Sequence, residues 1–244
     1  MRAALKKILD NFLHPFGLNI ERYFGKELSL CRLVKIASEL NIDLILDVGA
    51  NTGQFARKII KQGYNGNIIS FEPLSSAYPI LLKNAETSSQ WQVFERCAIG
   101  DTDGKIEINI SMNSYSSSIL EVRHEHLKAA PSAAIIGKET VSIKKLDTIA
   151  NAFDSHKNIL LKVDTQGFEK NVLDGASELV QNKIKLLQLE MSLLPLYESI
   201  LPFDKMLSYL EAKGFKPLFF STGYIDRITD ELQQVEGYFI KSDY

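Results

Sequence analysis

Two cysteines in 244 residues, Cys31 and Cys97, are too few for a disulfide framework or a zinc site. Both stand among apolar neighbours, so they read as small core side chains in a reducing compartment. An excess of charge of one sign is lacking too. With 28 Lys and Arg against 30 Asp and Glu, the formal net charge is −2 and the pI about 6.1. That gives no electrostatic reason to expect nucleic acid, whose usual footprint is a basic stripe. The amino-terminal segment holds neither a secretory apolar region nor a membrane span, and the expectation is a cytoplasmic protein. Internal repeats, low-complexity tracts and the dinucleotide fingerprint G-x-G-x-x-G are likewise missing. What remains, 45% hydrophobic and 24% charged residues, suffices for one substantial core.

Leu5, Ile8, Leu9, Phe12, Leu13 and Phe16 recur at helical spacing, broken by Asp10, Asn11 and His14. Residues 1–40 therefore read as a helical extension packing on a domain spanning 41–244, with peripheral membrane contact through residues 1–16 as the other use of that face. From there strands alternate with helices. A helix over Leu28–Leu40 precedes a strand at Leu44–Val48, and a helix over Gln54–Gln62 precedes one at Ile68–Phe71. The third strand is expected over Gln92–Ile99. Lys105–Ile110 and Thr140–Lys144 alternate with period two and read as half-exposed strands of an insertion at about 103–145, a β-hairpin or lid carrying a serine- and alanine-rich stretch. Core strands resume at Ile159–Asp164 and Lys185–Glu190, the first followed by a helix running to about Val180. A helix over Phe203–Ala212 and strands at Phe215–Phe220 and Val235–Ile240 close the chain. The expected fold is α/β and Rossmann-like: a seven-stranded, mostly parallel sheet with helices on both faces and an antiparallel final pair.

The segment from Leu44 to Phe55 runs from a buried strand through a glycine turn into a helix. Gly49 and Gly53 admit a ligand where a Cβ would clash, and the helix amides point into the same crevice. Asp47, at the strand's carboxyl end, has the wrong sign for a pyrophosphate and the right one for a cationic ligand. S-adenosylmethionine, with its ammonium and sulfonium, suits the turn better than NAD. Glu72 ends the second strand 25 residues later (72 − 47), where an acid accepts both ribose hydroxyls in NAD-binding folds as well.

Asp47-Val48-Gly49-Ala50-Asn51-Thr52-Gly53, Phe71-Glu72-Pro73, Ala98-Ile99-Gly100-Asp101, Ser116-Ser117-Ser118, Leu146-Asp147-Thr148 and Lys162-Val163-Asp164-Thr165-Gln166-Gly167-Phe168-Glu169 resemble, in order, the blocks of the FkbM methyltransferases. The likeness covers roughly residues 40 to 240, and the last block is its specific part. It implies S-adenosylmethionine-dependent O-methylation, often of sugar hydroxyls in glycans, glycolipids or natural products. It further implies that Asp47, Gly49, Asn51 and Gly53 hold the methionine end, Glu72 the ribose, and Ala98, Ile99 and Asp101 the adenine. Asp101 reads equally as a polar residue of the turn Gly100–Gly104.

Methyl transfer to a sugar needs an aligned acceptor and a base for its proton. Asp164, at the strand tip nearest the crevice, is the first candidate, as base or as a group that orients the acceptor. Glu190, at the next tip, is the second. Glu169 reads as structural, bracing the first turn of its helix. His124 and His126 read as a solvated face. Asn113, Ser117, Ser118 and Gln166 are short or polar groups suited to hydroxyls, although a serine-rich loop explains the serines as well. With only Asp164, Gln166 and Glu190 as oxygen donors, no metal is required. Two other functions stay open: an NAD-linked sugar dehydrogenase or epimerase, and a methyltransferase-like binding module without turnover.

Overall fold

A computed structural model describes residues 26–112, 117–120, 134–198, 200–226 and 229–243. The amphipathic stretch 1–16, Asn113, His124 and His126 lie outside the described residues. Helix α1 (Lys26–Glu39) leads into β1 (Leu44–Val48), α2 (Gln54–Lys61), β2 (Asn67–Phe71), α3 (Tyr78–Ala85) and β3 (Trp91–Val93). Three strands of a separate sheet follow, β4 (Ala98–Ile99), β5 (Gly104–Ser111) and β6 (Ile135–Lys144). The main sheet resumes with β7 (Ile159–Val163), helices α4 (Glu169–Asp174) and α5 (Ser177–Asn182), β8 (Ile184–Ser192), α6 (Phe203–Ala212), β9 (Phe215–Thr222) and β10 (Gln234–Lys241).

The seven-stranded sheet has the order β3-β2-β1-β7-β8-β10-β9. Strand β10 runs antiparallel to both neighbours, and the other pairs are parallel. Period-two side-chain alternation sorts the sheet into two cores. Leu44, Leu46 and Val48 of β1 and Ile159, Leu161 and Val163 of β7 join the core that holds Val172, Leu179 and Leu210 of α4, α5 and α6. Ile45 and Leu160 point the other way, towards Leu33, Ile59 and Leu81 of α1, α2 and α3. Every residue of β1 and β7 is buried, as a strand sandwiched between two helical layers must be. Shortening Leu46 to Ala in such a setting costs about 2–5 kcal/mol.

Two elements depart from the sequence reading. The third strand splits: Phe94 still donates to Ser70 O, but the charged Glu95-Arg96 pair then carries the chain off the sheet, and Ala98–Ile99 pairs instead with β6. The helix expected to run to Val180 breaks at Gly175, where Gly100 O passes so close that a Cβ would lie 1.8 Å from it. Asp147 then caps the second piece, accepting from Glu178 N at 2.9 Å and Leu179 N at 3.1 Å. Such a cap starts a new helix. Cys97 is buried as expected, whereas Cys31 is exposed and donates its thiol to Gln62.

Candidate functional site

The strand register lays a row of polar side chains across the α1–α3 face of the sheet. Ser70 pairs with Asp47, Asp47 with Lys162, Lys162 with Gln188, and Gln188 with Tyr238. All five are buried. Lys162 Nζ lies 3.0 Å from Asp47 Oδ1, Ser70 Oγ donates to Asp47 Oδ2 at 3.1 Å, and Trp91 Nε1 donates to Ser70 at 2.9 Å. This corrects the expectation for Asp47. Its carboxylate is fully buried against the Lys162 ammonium and does not line the cavity above the turn. The lysine instead reaches the glycine turn, donating to Gly49 O at 3.0 Å. Charge attraction to the two aspartates outweighs burial and holds the Lys162 ammonium above its ordinary pKa.

The turn beyond β1 owes its shape to left-handed residues, Gly49 at φ 73° and Asn51 at φ 48°. A Cβ at Gly49 would sit 1.9 Å from Asp164 O, so only glycine lets the β1 and β7 tips close on each other. Above them lie two cavity lobes of about 260 and 310 Å³, together of the size that holds small ligands, roughly 300–1,000 Å³. Gly49, Asn51, Asp164 and Glu236 line both lobes. Gly53 lines neither; it adopts φ 82° ahead of α2, packed where a Cβ would strike Trp91 at 2.3 Å.

Glu72 faces the 260 Å³ lobe from the tip of β2. Oε2 accepts from Asn51 N at 2.7 Å and Oε1 from Leu74 N at 2.9 Å, and each oxygen keeps a lone pair for a further donor. Burial, only partly offset by those amides, raises its pKa from 4.5 to about 7. Phe71, Leu74, Ala98, Ile99 and Ile108 give this lobe its apolar wall. Asp101 is not on it. Its carboxylate takes the Asn171 amide at 3.0 Å, which ties the Gly100–Gly104 turn to α4.

On the opposite side the tips of β7 and β8 bring Asp164 and Glu190 together through Gln166. The Gln166 Nε2 donates to Asp164 Oδ1 at 2.8 Å and to Glu190 Oε2 at 2.6 Å. Gln234 gives Glu190 Oε2 a second amide at 2.9 Å. Gln166 was expected to bind substrate, and its amide is engaged within the protein instead. Ser118 lines the lobe, but its hydroxyl donates to Gln166 O at 2.7 Å. Ser117 lines it too, with its hydroxyl against Ser111 N at 3.1 Å. Glu169 is structural as expected: its buried Oε1 collects Thr165 N, Thr165 Oγ1 and Gly167 N at 3.0–3.2 Å, and burial raises its pKa to about 7.

Sequence reasoning missed Lys162, Tyr197, Gln188 and Glu236. Lone polar residues inside otherwise apolar strands, such as Lys162 in Ile159–Val163, were the available signal. Glu236 takes an amide from Gln188 at 3.1 Å; among the described residues Gln188 Oε1 is buried without a hydrogen-bond partner.

A family model described as the methyltransferase FkbM domain matches residues 47–217. The 2-O-methyltransferase NoeI of Sinorhizobium fredii (strain NBRC 101917 / NGR234) is 28% identical over 176 residues, 69% of this chain and 71% of its own. The methyltransferase sdnD of Sordaria araneosa is 23% identical over 189 residues, 67% of this chain and 73% of its own. Among solved structures, human methyltransferase 10 domain containing protein aligns at 9% identity over 98% of this chain and 97% of that one, with a TM-score of 0.46. No helix among the described residues is long and apolar enough to cross a membrane.

Proposed function

The chain belongs to the FkbM methyltransferase family, and from that premise we propose that it uses S-adenosylmethionine to methylate a sugar hydroxyl. The observation that carries this reading is the cavity over the β1–β7 tips, with Glu72 on one side and the Gln166-linked carboxylates on the other. Glu72, with lone pairs directed past its two backbone amides, suits ribose hydroxyls. The apolar wall with Ala98 and Ile99 suits adenine. In the 310 Å³ lobe Asp164 and Glu236 stand beside Gln188 Oε1, which has no hydrogen-bond partner among the described residues, an acceptor set that suits an ammonium. The electrostatic match first ascribed to Asp47 thus passes to Asp164 and Glu236. S-adenosylmethionine supplies an electrophilic methyl group there.

The chain's own part is to bind, align and deprotonate. Asp164 is the base of choice, since its side chain is 35% exposed, lines both lobes and has one oxygen already oriented by Gln166. Glu190 borders the 260 Å³ lobe only, more deeply committed to two amides. As the acceptor oxygen bonds to the methyl carbon, the carbon–sulfur bond breaks and the hydroxyl proton passes to the carboxylate. The likeness to a rhizobial 2-O-methyltransferase supports oxygen as the acceptor atom. The polar groups of Ser117, Thr165 and Glu190 along one wall support a polyhydroxylated acceptor: a glycan, a glycolipid or a glycosylated natural product.

Calorimetric titration with S-adenosylhomocysteine tests the cofactor, and transfer of labelled methyl to a panel of saccharides and glycolipids tests the acceptor. The full chain is expected to bind the former and Glu72→Ala to weaken it at least ~10-fold. Asp164→Asn is expected to keep binding and lose about 10²–10⁴-fold in turnover. Absence of binding to the unsubstituted chain overturns the cofactor assignment. Label appearing only on non-carbohydrate acceptors overturns the sugar.

A further inference from the structure

Gln166 occupies an unusual place for a side chain expected to touch substrate. It is a non-glycine residue at φ 55°, a region of the backbone map that costs energy and persists where surroundings impose it. Three separate parts of the chain impose it here. Ser118, from the β5–β6 connection, holds its carbonyl at 2.7 Å. Glu169, from α4, holds the amides of both flanking residues. Tyr197, from the segment after β8, donates its hydroxyl to the side-chain Oε1 at 2.7 Å.

The third contact decides which way the amide points. A glutamine side chain presents an acceptor at one end and two donors at the other, and the ends exchange by rotation. Two carboxylates claim the donor end. The phenol closes the set, because a hydroxyl donating to Oε1 fixes that oxygen away from Asp164 and Glu190. Tyr197 is 1% exposed and its ring packs against the Gly167 backbone, where a Cβ would meet Tyr197 Cβ at 3.3 Å. The phenol is therefore a rigid anchor.

We infer that Tyr197 is a positioning residue for methyl transfer: by fixing the Gln166 amide it keeps the Asp164 and Glu190 carboxylates bridged by one nitrogen at the acceptor side of the cavity. The inference rests on the reading that this cavity performs the transfer. Both carboxylates lie within 2.8 Å of Gln166 Nε2, so one oriented amide sets the spacing of the base and its neighbour. Without the phenol, Oε1 loses its anchor and the amide samples other rotations, and the base is presented in a spread of positions, a disorder that methyl transfer in line does not tolerate.

Tyr197→Phe keeps the ring and removes one hydroxyl, so the chain is expected to fold with a midpoint lowered by no more than ~6 °C. In the ¹⁵N-labelled full chain, the Gln166 side-chain amide protons, assigned by their disappearance in Gln166→Ala, are expected to exchange with solvent at least ~10-fold faster in Tyr197→Phe. S-adenosylhomocysteine affinity is expected to stay within about twofold. The kcat on the acceptor found by the saccharide panel is expected to fall ~10–100-fold while its KM changes by less than about threefold. The double variant with Gln166→Ala is expected to be no slower than Gln166→Ala alone. Unchanged amide exchange overturns the inference, as do additive losses in the double variant. The amide measurement needs neither cofactor nor acceptor. A chain that binds no S-adenosylhomocysteine therefore removes the cofactor reading, while the exchange rate still decides the link from Tyr197 to Gln166.

Discussion

At the scale of the residue, burial governs the two carboxyls that matter most. Glu72 and Glu169 are each raised from 4.5 to about 7 by desolvation. An acid whose folded pKa lies above its unfolded one binds more protons folded than unfolded between those values, so stability is full below about 4.5 and is lost as pH rises to about 7. Each group accounts for a change on the order of 3 kcal/mol. Thermal midpoints of the protein are expected to fall across that window, and Glu169→Gln, which keeps an acceptor for the three donors, is expected to flatten the fall. A midpoint profile identical in both proteins would refute the assignment. Glu72 gives the same titration a functional sign. The ionised carboxylate is the better acceptor for ribose hydroxyls, so S-adenosylhomocysteine affinity is expected to rise from pH 6 to pH 8, and calorimetry on Glu72→Gln is expected to show weaker binding without that rise. Both acids were visible in the sequence as strand-end or loop residues, but their burial was not. Burial depends on what covers a side chain, and Glu72 is held between the backbone amides of Asn51 and Leu74.

At the scale of the element, strands were the legible part. The apolar runs of β1, β2 and β7 and the period-two pattern of β5 and β6 gave their positions to within a few residues, because side-chain alternation is a local property of the backbone. Breaks were not legible. The split after β3 and the stop between α4 and α5 depend on partners far along the chain, Pro73 O for Arg96 and Asp147 for α5. The glycine turn joins both kinds of information. Gly49→Ala meets a carbonyl at 1.9 Å in a left-handed conformation, whereas Gly63→Ala, at φ 96°, meets no atom within 4 Å. Calorimetric melting is expected to show a midpoint loss of roughly 2–4 °C for Gly63→Ala, from backbone strain of about 1 kcal/mol, and at least twice that for Gly49→Ala. Equal losses would mean that the β1 and β7 tips separate readily. The Lys162–Asp47 pair between those strands is a second element-level test. Lys162→Met strands a buried carboxylate and is expected to cost about 3–5 kcal/mol in denaturant unfolding. Asp47→Leu added to it is expected to recover most of that; no recovery would mean that the lysine acts through the Gly49 carbonyl alone.

At the scale of the whole molecule, the small sheet of β4, β5 and β6 forms one wall of the 260 Å³ lobe through Ala98, Ile99 and Ile108. A clamp holds it to the loop after β2: Glu139 on β6 is ion-paired with Arg96 and accepts from Ser75 N at 3.2 Å. Glu139→Ala is expected to speed amide exchange across residues 104–111 and 135–144 and to raise the S-adenosylhomocysteine dissociation rate several-fold, with a midpoint loss under ~4 °C. Stopped-flow release and exchange mass spectrometry would check both, and unchanged release would leave the clamp without a role at the cavity. By itself the sequence determined the alternation of strands and helices, the glycine turn, the acids at the strand tips and the family they resemble, since each is written in neighbouring residues. Only the tertiary structure decided which acids face the cavity and which are spent in the sheet. That choice turns on register. Pairing Asp47 with Lys162 across β1 and β7 sets the one acid against a buried cation and leaves Asp164, next after the last residue of β7, on the cavity wall. Register is a relation between strands more than 100 residues apart, fixed by the burial of both sheet faces.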